Sequence, residues 1–461
     1  MKPIRLALML KVIAMLLSLF ALSSMTSLQA DTVRQYEDIK NSFVHLGSGV
    51  PAVLYEPAIP STKAKIAIFM MHADGDYLSF APGTELARRG YRVLAANNSA
   101  SKWHFNTDLD INQAMQEASL GVKYLRQLPG VEKIVLLGHS GGGALMAAYQ
   151  NIAENGVQAC QGPEKLIPCP DSLAGLSPAD GVILLDSNFG LGVMVLLSLD
   201  PAVIDESTGM KTNPELDVFN PENGFDPEGS VYSDEFIKKF QTAAGKRNNL
   251  LIDTALERLK KIETGEGRYN DDEPYDIPGA MFLRFDNRLF PQDIRLLAHT
   301  RNAWPLLHKD GTSDTQVIYS VRKPFGKDSP TPSYEKGALK TTVKRYLSTY
   351  AVRTNDEFAY GPDSINGVDW SSSYSVPPGS VRGITKPLLT MGMTGSYEFM
   401  AAELIYENAK SADKSIAFVE GASHNFTPCN ECETVPGLYG DTLKTTFDYV
   451  DKWLSKPGRF F

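Results

Sequence analysis

What this chain lacks first is an excess of basic charge. Its 461 residues carry 45 Lys and Arg against 54 Asp and Glu, with no stripe of clustered cations. Polyanion binding draws its strength from Lys and Arg that neutralise phosphates, so no nucleic-acid partner is expected. Long hydrophobic runs are missing beyond the first thirty residues, which leaves no stable membrane span. Runs of one charge sign, internal repeats and heptads are absent too, against disorder, solenoids and coiled coils. Cysteine is scarce, with four in the chain. What is present is an ordinary globular composition, 43% hydrophobic and 21% charged. At roughly 150 residues per domain the length fits about three domains, or one large enzyme domain with an insertion.

The N-terminus reads as an export signal. Lys2 and Arg5 give a positive start, Val12 to Met25 is apolar, and small or polar residues lead to Ala30. Lys11 and the bulky Leu28 depart from the usual pattern. Residues 1 to 30 are therefore expected to be a cleaved signal peptide, and the protein to be exported, periplasmic or secreted. An oxidising address suits local disulfides, Cys160 with Cys169 and Cys429 with Cys432. The Cys-x-x-Cys pair could instead serve redox or zinc chemistry, but zinc needs further ligands and redox motifs usually open a helix in a thioredoxin-like unit.

Strand and helix alternate along the first part of the chain. Residues 42 to 46 and 51 to 56 flank a Gly-Ser-Gly turn and predict a hairpin. The apolar runs Lys65 to Met71, Tyr91 to Ala96, Lys133 to Leu137 and Gly181 to Leu185 predict buried parallel strands. Helical patterns lie between them, and the succession implies an α/β protein with helices on both faces of a parallel sheet. After Asp186 the rhythm stops for about 200 residues, apart from a helical stretch over Ser233 to Ile262. It returns with Pro387 to Met391, Ser415 to Val419 and a closing helix from Asp441 to Leu454. The expected organisation is a core from 31 to 187, an inserted cap or lid from 188 to 385, and the rest of the core from 386 to 461.

The chemistry is concentrated in Val135-Leu-Leu-Gly-His-Ser-Gly-Gly-Gly143. A bare G-x-S-x-G is weak, but this one follows an apolar strand and precedes an Ala-rich and Leu-rich helical stretch. Gly138 and Gly142 permit close packing around a strained serine, and the N–H of Gly141 at the helix start can stabilise an oxyanion. A dinucleotide-binding loop fits poorly, since serine replaces the middle glycine and the motif belongs to the fifth strand.

On these residues the chain resembles the α/β-hydrolase family over 42 to 186 and 386 to 461. The resemblance implies the α/β-hydrolase fold, a serine hydrolase activity of esterase or lipase type, and no cofactor. It places the nucleophile at Ser140 and the general base at His424, in the loop Glu420-Gly-Ala-Ser-His424 after the last strand. The second oxyanion donor would come from Phe69-Met-Met-His-Ala-Asp-Gly-Asp76, where Ala73 stands for the family's glycine and Ala73 or Asp74 would supply the amide. The usual acid is missing, because the position three residues after Gly392 is Gly395. Two repairs remain open. Asp186 closes the sixth strand, similar to platelet-activating-factor acetylhydrolases, while Glu398 or Glu403 lies farther along the seventh-strand loop.

The expected substrate is a small-molecule or lipid-like carboxylic ester. The same residues would serve an acyltransferase, thioesterase or amidase, and a non-catalytic binding protein on the same fold is the alternative of another class. His72, Asp74 and Asp76 fit no recognised metal spacing, and no metal is expected. Asn220 to Asp226 looks superficially like calcium ligands but lacks the EF-hand spacing, so a polar turn is expected.

Overall fold

The computed structural model describes residues 38–102, 108–281, 289–324 and 337–461. The expected signal peptide, and residues 103–107 of the loop after the fourth strand, lie outside them.

One sheet organises the molecule. Its strands are β1 (Ile39–His45), β2 (Pro51–Pro57), β3 (Ile66–Met71), β4 (Arg92–Ala96), β5 (Lys133–His139) and β6 (Gly181–Leu185). Two stray pairs, β7 (Pro274–Ile277) with β10 (Leu339–Thr342) and β11 (Thr354–Tyr360) with β12 (Ile365–Val368), stand apart from it. The sheet resumes with β8 (His299–Leu307), β9 (Ser313–Tyr319), β13 (Leu388–Met393) and β14 (Lys414–Val419). Its order is β1-β2-β4-β3-β5-β6-β13-β14-β8-β9, parallel from β4 through β8 and antiparallel at both ends.

The apolar runs explain why the centre is parallel. Every residue of β3, β6 and β13 is buried, which requires cover on both faces. The cover divides by alternation along the strand. Ala67, Phe69 and Met71 pack with the helices Ile111–Gln127 and Gly141–Asn155. Ile66, Ile68 and Met70 pack with Ala81–Arg88 and the closing helix Thr442–Leu454. The helix Ile111–Gln127 starts where Asp110 accepts the amides of Asn112 and Gln113.

The hairpin and the parallel strands fall where the sequence puts them, but the middle region does not stay outside the sheet. β8 and β9, both within 188–385, extend the central sheet beyond β14 through Phe418 opposite Leu306 and Val419 opposite Leu307. The reason they escape a pattern search is composition: β8 reads HTRNAWPLL, with three consecutive exposed residues. The rest of the region is built on a long helix, Asp234–Glu263, started by a Ser233 cap and laid against β11. Asn220 and Asp226 each accept an amide two residues onward, from Glu222 and Glu228, so that stretch is a succession of polar turns. Cys160 is bonded to Cys169 and Cys429 to Cys432. Among the described residues no helix is long and apolar enough to cross a membrane.

Candidate active site

Ser140 stands between β5 and the helix Gly141–Asn155 with φ 53° and ψ −129°. That left-handed backbone is costly for a residue with a side chain, and the surroundings enforce it. The Ser140 N–H donates to the Asp186 carbonyl at 3.2 Å, and the Gly143 N–H donates back to the Ser140 carbonyl at 2.9 Å. The turn is tight enough that a Cβ on Gly138 would lie 2.6 Å from the Gly142 carbonyl oxygen, and one on Gly142 would lie 2.8 Å from the Met71 carbonyl. Only glycine fits those approaches.

Asp186 follows β6, fully buried and itself at positive φ, 42°. One carboxylate oxygen accepts the Met393 N–H at 2.9 Å, and the other lies 2.6 Å from His424 Nδ1. The aspartate is thereby fixed from two strands before it meets the imidazole. His424 follows β14, in a loop closed by Ser423 N–H donating to the Thr427 carbonyl at 2.7 Å.

The two glutamates separate cleanly. Glu403 accepts the amides of Arg301 and Asn302 at 3.0 and 2.9 Å and the Trp304 indole N–H at 2.8 Å. It fastens the helix Ala401–Asn408 to β8, and it is not among the carboxylates within ion-pair distance of His424, which corrects its standing as an alternative acid. Glu398 instead lies inside the site. Its Oε2 is 3.7 Å from His424 Nδ1, and its carboxyl also meets the side chains of Ser140 and Tyr397. Ser140, His424, Asp186 and Glu398 thus converge at the carboxyl edge of the sheet. Burial pushes the Glu398 carboxyl up to about 7, and the charge of Asp186 adds to the rise. For His424 burial works against the imidazolium, but Glu398 and Asp186 overcome it and raise the group to about 9.

The loop after β3 lies against the elbow. A Cβ on Gly141 would come within 3.2 Å of the Ala73 Cβ, so Gly141 and Ala73 are neighbours. His72 Nδ1 accepts amides from Asp74 at 3.2 Å and Gly75 at 2.6 Å, which assigns its lone pair to that nitrogen. Asp76 turns to Asn97 and the Leu78 amide instead, so His72, Asp74 and Asp76 do not converge on a common point.

Two residues that the sequence leaves unmarked complete the site. His139, the variable position of the motif, is buried, and burial lowers its pKa well below the ordinary imidazole value. Its Nε2 lies 2.7 Å from the His424 carbonyl oxygen and its Nδ1 meets the Tyr77 hydroxyl. A neutral ring satisfies both contacts in one tautomer: Nε2–H donates to the carbonyl, and Nδ1 accepts from tyrosine. Beside His424 a cavity of about 270 Å³ opens, walled by Pro291, Pro324, Tyr397, Ser396 and Gly395, with Arg322 and Glu431 at its polar side.

Strand order, the serine elbow after β5 and the histidine after the last parallel strand define an α/β-hydrolase fold. Within that fold Ser140, Asp186 and His424 follow β5, β6 and β14 in that chain order. No protein-family model matches the sequence, and no curated protein matches it. Among solved structures the chain is similar to carboxyl esterase 2 of the mycorrhizal fungus Tuber melanosporum, at 13% identity over 95% of each chain and a TM-score of 0.40. It is also similar to Est1E from Butyrivibrio proteoclasticus, at 12% identity over 90% of this chain and 97% of that one, TM-score 0.35. A third is brefeldin A esterase, a bacterial homologue of human hormone sensitive lipase, at 12% identity over 93% and 80% of the two chains, TM-score 0.39.

Proposed function

We propose that this protein is a serine hydrolase that cleaves carboxylic esters through an acyl-enzyme on Ser140. The observation that carries the reading is the 2.6 Å contact of Asp186 with His424 Nδ1 at the same sheet edge as a serine held at φ 53°. A hydroxyl is a poor nucleophile until an imidazole takes its proton. In the proposed cycle His424 Nε2 accepts the Ser140 proton as Oγ attacks the ester carbonyl, then delivers it to the departing alkoxide. Asp186 holds the ring in the tautomer with the proton on Nδ1 and stabilises the imidazolium. The Gly141 amide is one oxyanion donor. Asp74's amide is engaged by His72, so Ala73 is the second donor in this reading. Water, activated by the same imidazole, then releases the acyl group.

The substrate in this reading is a small or lipid-like ester, received beside His424 in the mainly apolar cavity. The two short-range disulfides support work in an oxidising compartment, and export to the periplasm or medium is part of the proposal. A fluorophosphonate probe tests the nucleophile: labelling is expected in the wild type and lost in Ser140→Ala. A panel of p-nitrophenyl esters of rising chain length, with an amide and a thioester beside it, tests the reaction class. Labelling that persists in Ser140→Ala, or turnover of none of the panel, overturns the reading.

A further inference from the structure

Glu398 is the part of the site that a three-residue mechanism does not use. It is 2% exposed, and its Oε2 has no hydrogen-bond partner. A glutamate placed this way costs free energy, because a carboxylate sealed from water wants strong donors, and an apolar side chain would fill the space without that penalty. Its position is nonetheless well held. Its N–H donates to Ser396 Oγ at 3.2 Å and its carbonyl accepts the Ala401 N–H at 2.9 Å, at the entrance to the helix Ala401–Asn408. From there the side chain meets Ser140 and stands 3.7 Å from His424 Nδ1. One ligand atom each from Asp186, Glu398 and His424 falls within 4.8 Å of the other two.

We propose that Glu398 is a second carboxyl of the catalytic centre, which holds the Ser140 hydroxyl in the resting site and shares the His424 imidazolium with Asp186 during the reaction. This rests on the reading of Ser140 as nucleophile and deepens it. Asp186, at 2.6 Å, orients the ring; Glu398, at 3.7 Å, acts on it through charge. Bonds and protons balance as in the simple cycle. The Ser140 Oγ–acyl bond forms, the ester C–O bond breaks, and the serine proton passes through His424 to the leaving alcohol. Glu398 makes no covalent bond and keeps its protonation state within a turnover.

The other groups facing this pair leave it the decisive charge. His139 packs its ring 4.5 Å from that of His424 and is held neutral by burial. Tyr397 lies with its ring 6.0 Å away, and Tyr77 is a buried phenol pushed well above its usual value by burial and by Glu398 itself. Arg322, Lys323 and Glu431 stand on the cavity wall. Among the described residues, the carboxylates within ion-pair distance of His424 are Asp186 and Glu398.

The consequence is a pH dependence with a definite sign. A carboxylate beside the imidazole favours the imidazolium, so more of the resting enzyme carries a protonated, inactive His424 at neutral pH, and the rate rises as pH rises. Glu398→Gln keeps size and hydrogen bonding but removes the charge. It is expected to move the acid limb of the kcat/KM profile down by about one pH unit or more and to lower the high-pH plateau of kcat about tenfold, with KM little changed. Glu398→Asp, which returns the charge on a shorter arm, is expected to bring the midpoint back toward wild type. His424 titrated by NMR through its ring protons reports the same shift without turnover.

A wild-type midpoint in Glu398→Gln, in both profile and titration, overturns the proposal and leaves a packing role. So does a loss of a thousandfold or more with no shift, which would make Glu398 the orienting acid. A wild-type chain that neither labels with fluorophosphonate nor cleaves any ester brings down the nucleophile reading and the proposal with it. A chain that does both while Glu398→Gln titrates unchanged loses the proposal alone.

Discussion

His139 Nε2 donates to the backbone carbonyl of His424 at 2.7 Å, so the residue before the elbow serine holds the loop that carries the imidazole. The chain continues on the other side of the ring, where the Tyr77 hydroxyl donates to Nδ1. Three segments distant in sequence, after β3, at the end of β5 and after β14, are thus locked by one neutral histidine. Tyr77→Phe leaves a buried ring nitrogen without a donor. The expected cost is about 1–3 kcal/mol in urea unfolding. A small displacement of His424 is expected to lower kcat by about tenfold or more, with KM moved less. Destabilisation with kcat intact would mean that the contact serves the fold and not the imidazole.

Asp186→Asn separates orientation from packing. The variant keeps an oxygen for the Met393 amide, now bonded at 2.9 Å, but an amide placed toward Nδ1 donates where an acceptor is needed. The ring is then driven to the tautomer that cannot take a proton at Nε2. A fall in kcat on the order of 10⁴ is expected, as in triads of the same geometry, with slowed fluorophosphonate labelling and a nearly unchanged melting temperature. A loss below about tenfold would remove Asp186 from the role.

Glu403→Gln is expected to do the reverse. Its carboxylate accepts two backbone amides and an indole N–H between the helix Ala401–Asn408 and β8. Charge-assisted bonds of this kind contribute about 1.5–3 kcal/mol each, and a glutamine retains one acceptor oxygen. Melting is expected several degrees lower, with kcat below the transition within about twofold of wild type. A large loss of kcat at full foldedness would return Glu403 to the site.

The sequence discloses the site in proportion to how local each part is. Ser140 and Gly141 are legible because the elbow's constraints, glycines at 138 and 142 and a strand before the serine, sit within a few residues. His424 is legible by its order after the last strand. Which carboxylate turns inward is not, since Glu398 and Glu403 are five residues apart and only the packing of Ala401–Asn408 on β8 sends one to Trp304 and the other to His424. His139 and Tyr77 give no signal, because their partnership spans 62 positions and neither residue type demands the other. β8 hides for a different reason: a strand next to the sheet edge, with exposed Arg301, Asn302 and Ala303, shows no apolar run.

The disulfide between Cys429 and Cys432 closes the loop that leaves His424. Cys429 N–H donates to the Gly421 carbonyl at 2.8 Å, and a Cβ on Gly395 would come within 2.8 Å of the Cys429 Cβ. The bridge thus presses the loop after β14 onto the loop after β13, between Gly395 and the cavity residue Glu431. A bridge over so short a span restrains the unfolded chain by about 2 kcal/mol, somewhat less than the longer Cys160–Cys169 loop. Its larger effect is expected on the folded state, through a tighter hold on the loop that carries His424. Replacing Cys429 and Cys432 together by serine is expected to lower kcat about tenfold while shifting the melting temperature less than the equivalent Cys160 and Cys169 pair does. That second pair sits under the helix Gly141–Asn155, where Cys160 is fully buried, and its removal should cost stability with turnover preserved. Turnover and melting measured on both double variants decide the matter: equal proportional losses in the two would mean that neither bridge acts on the site.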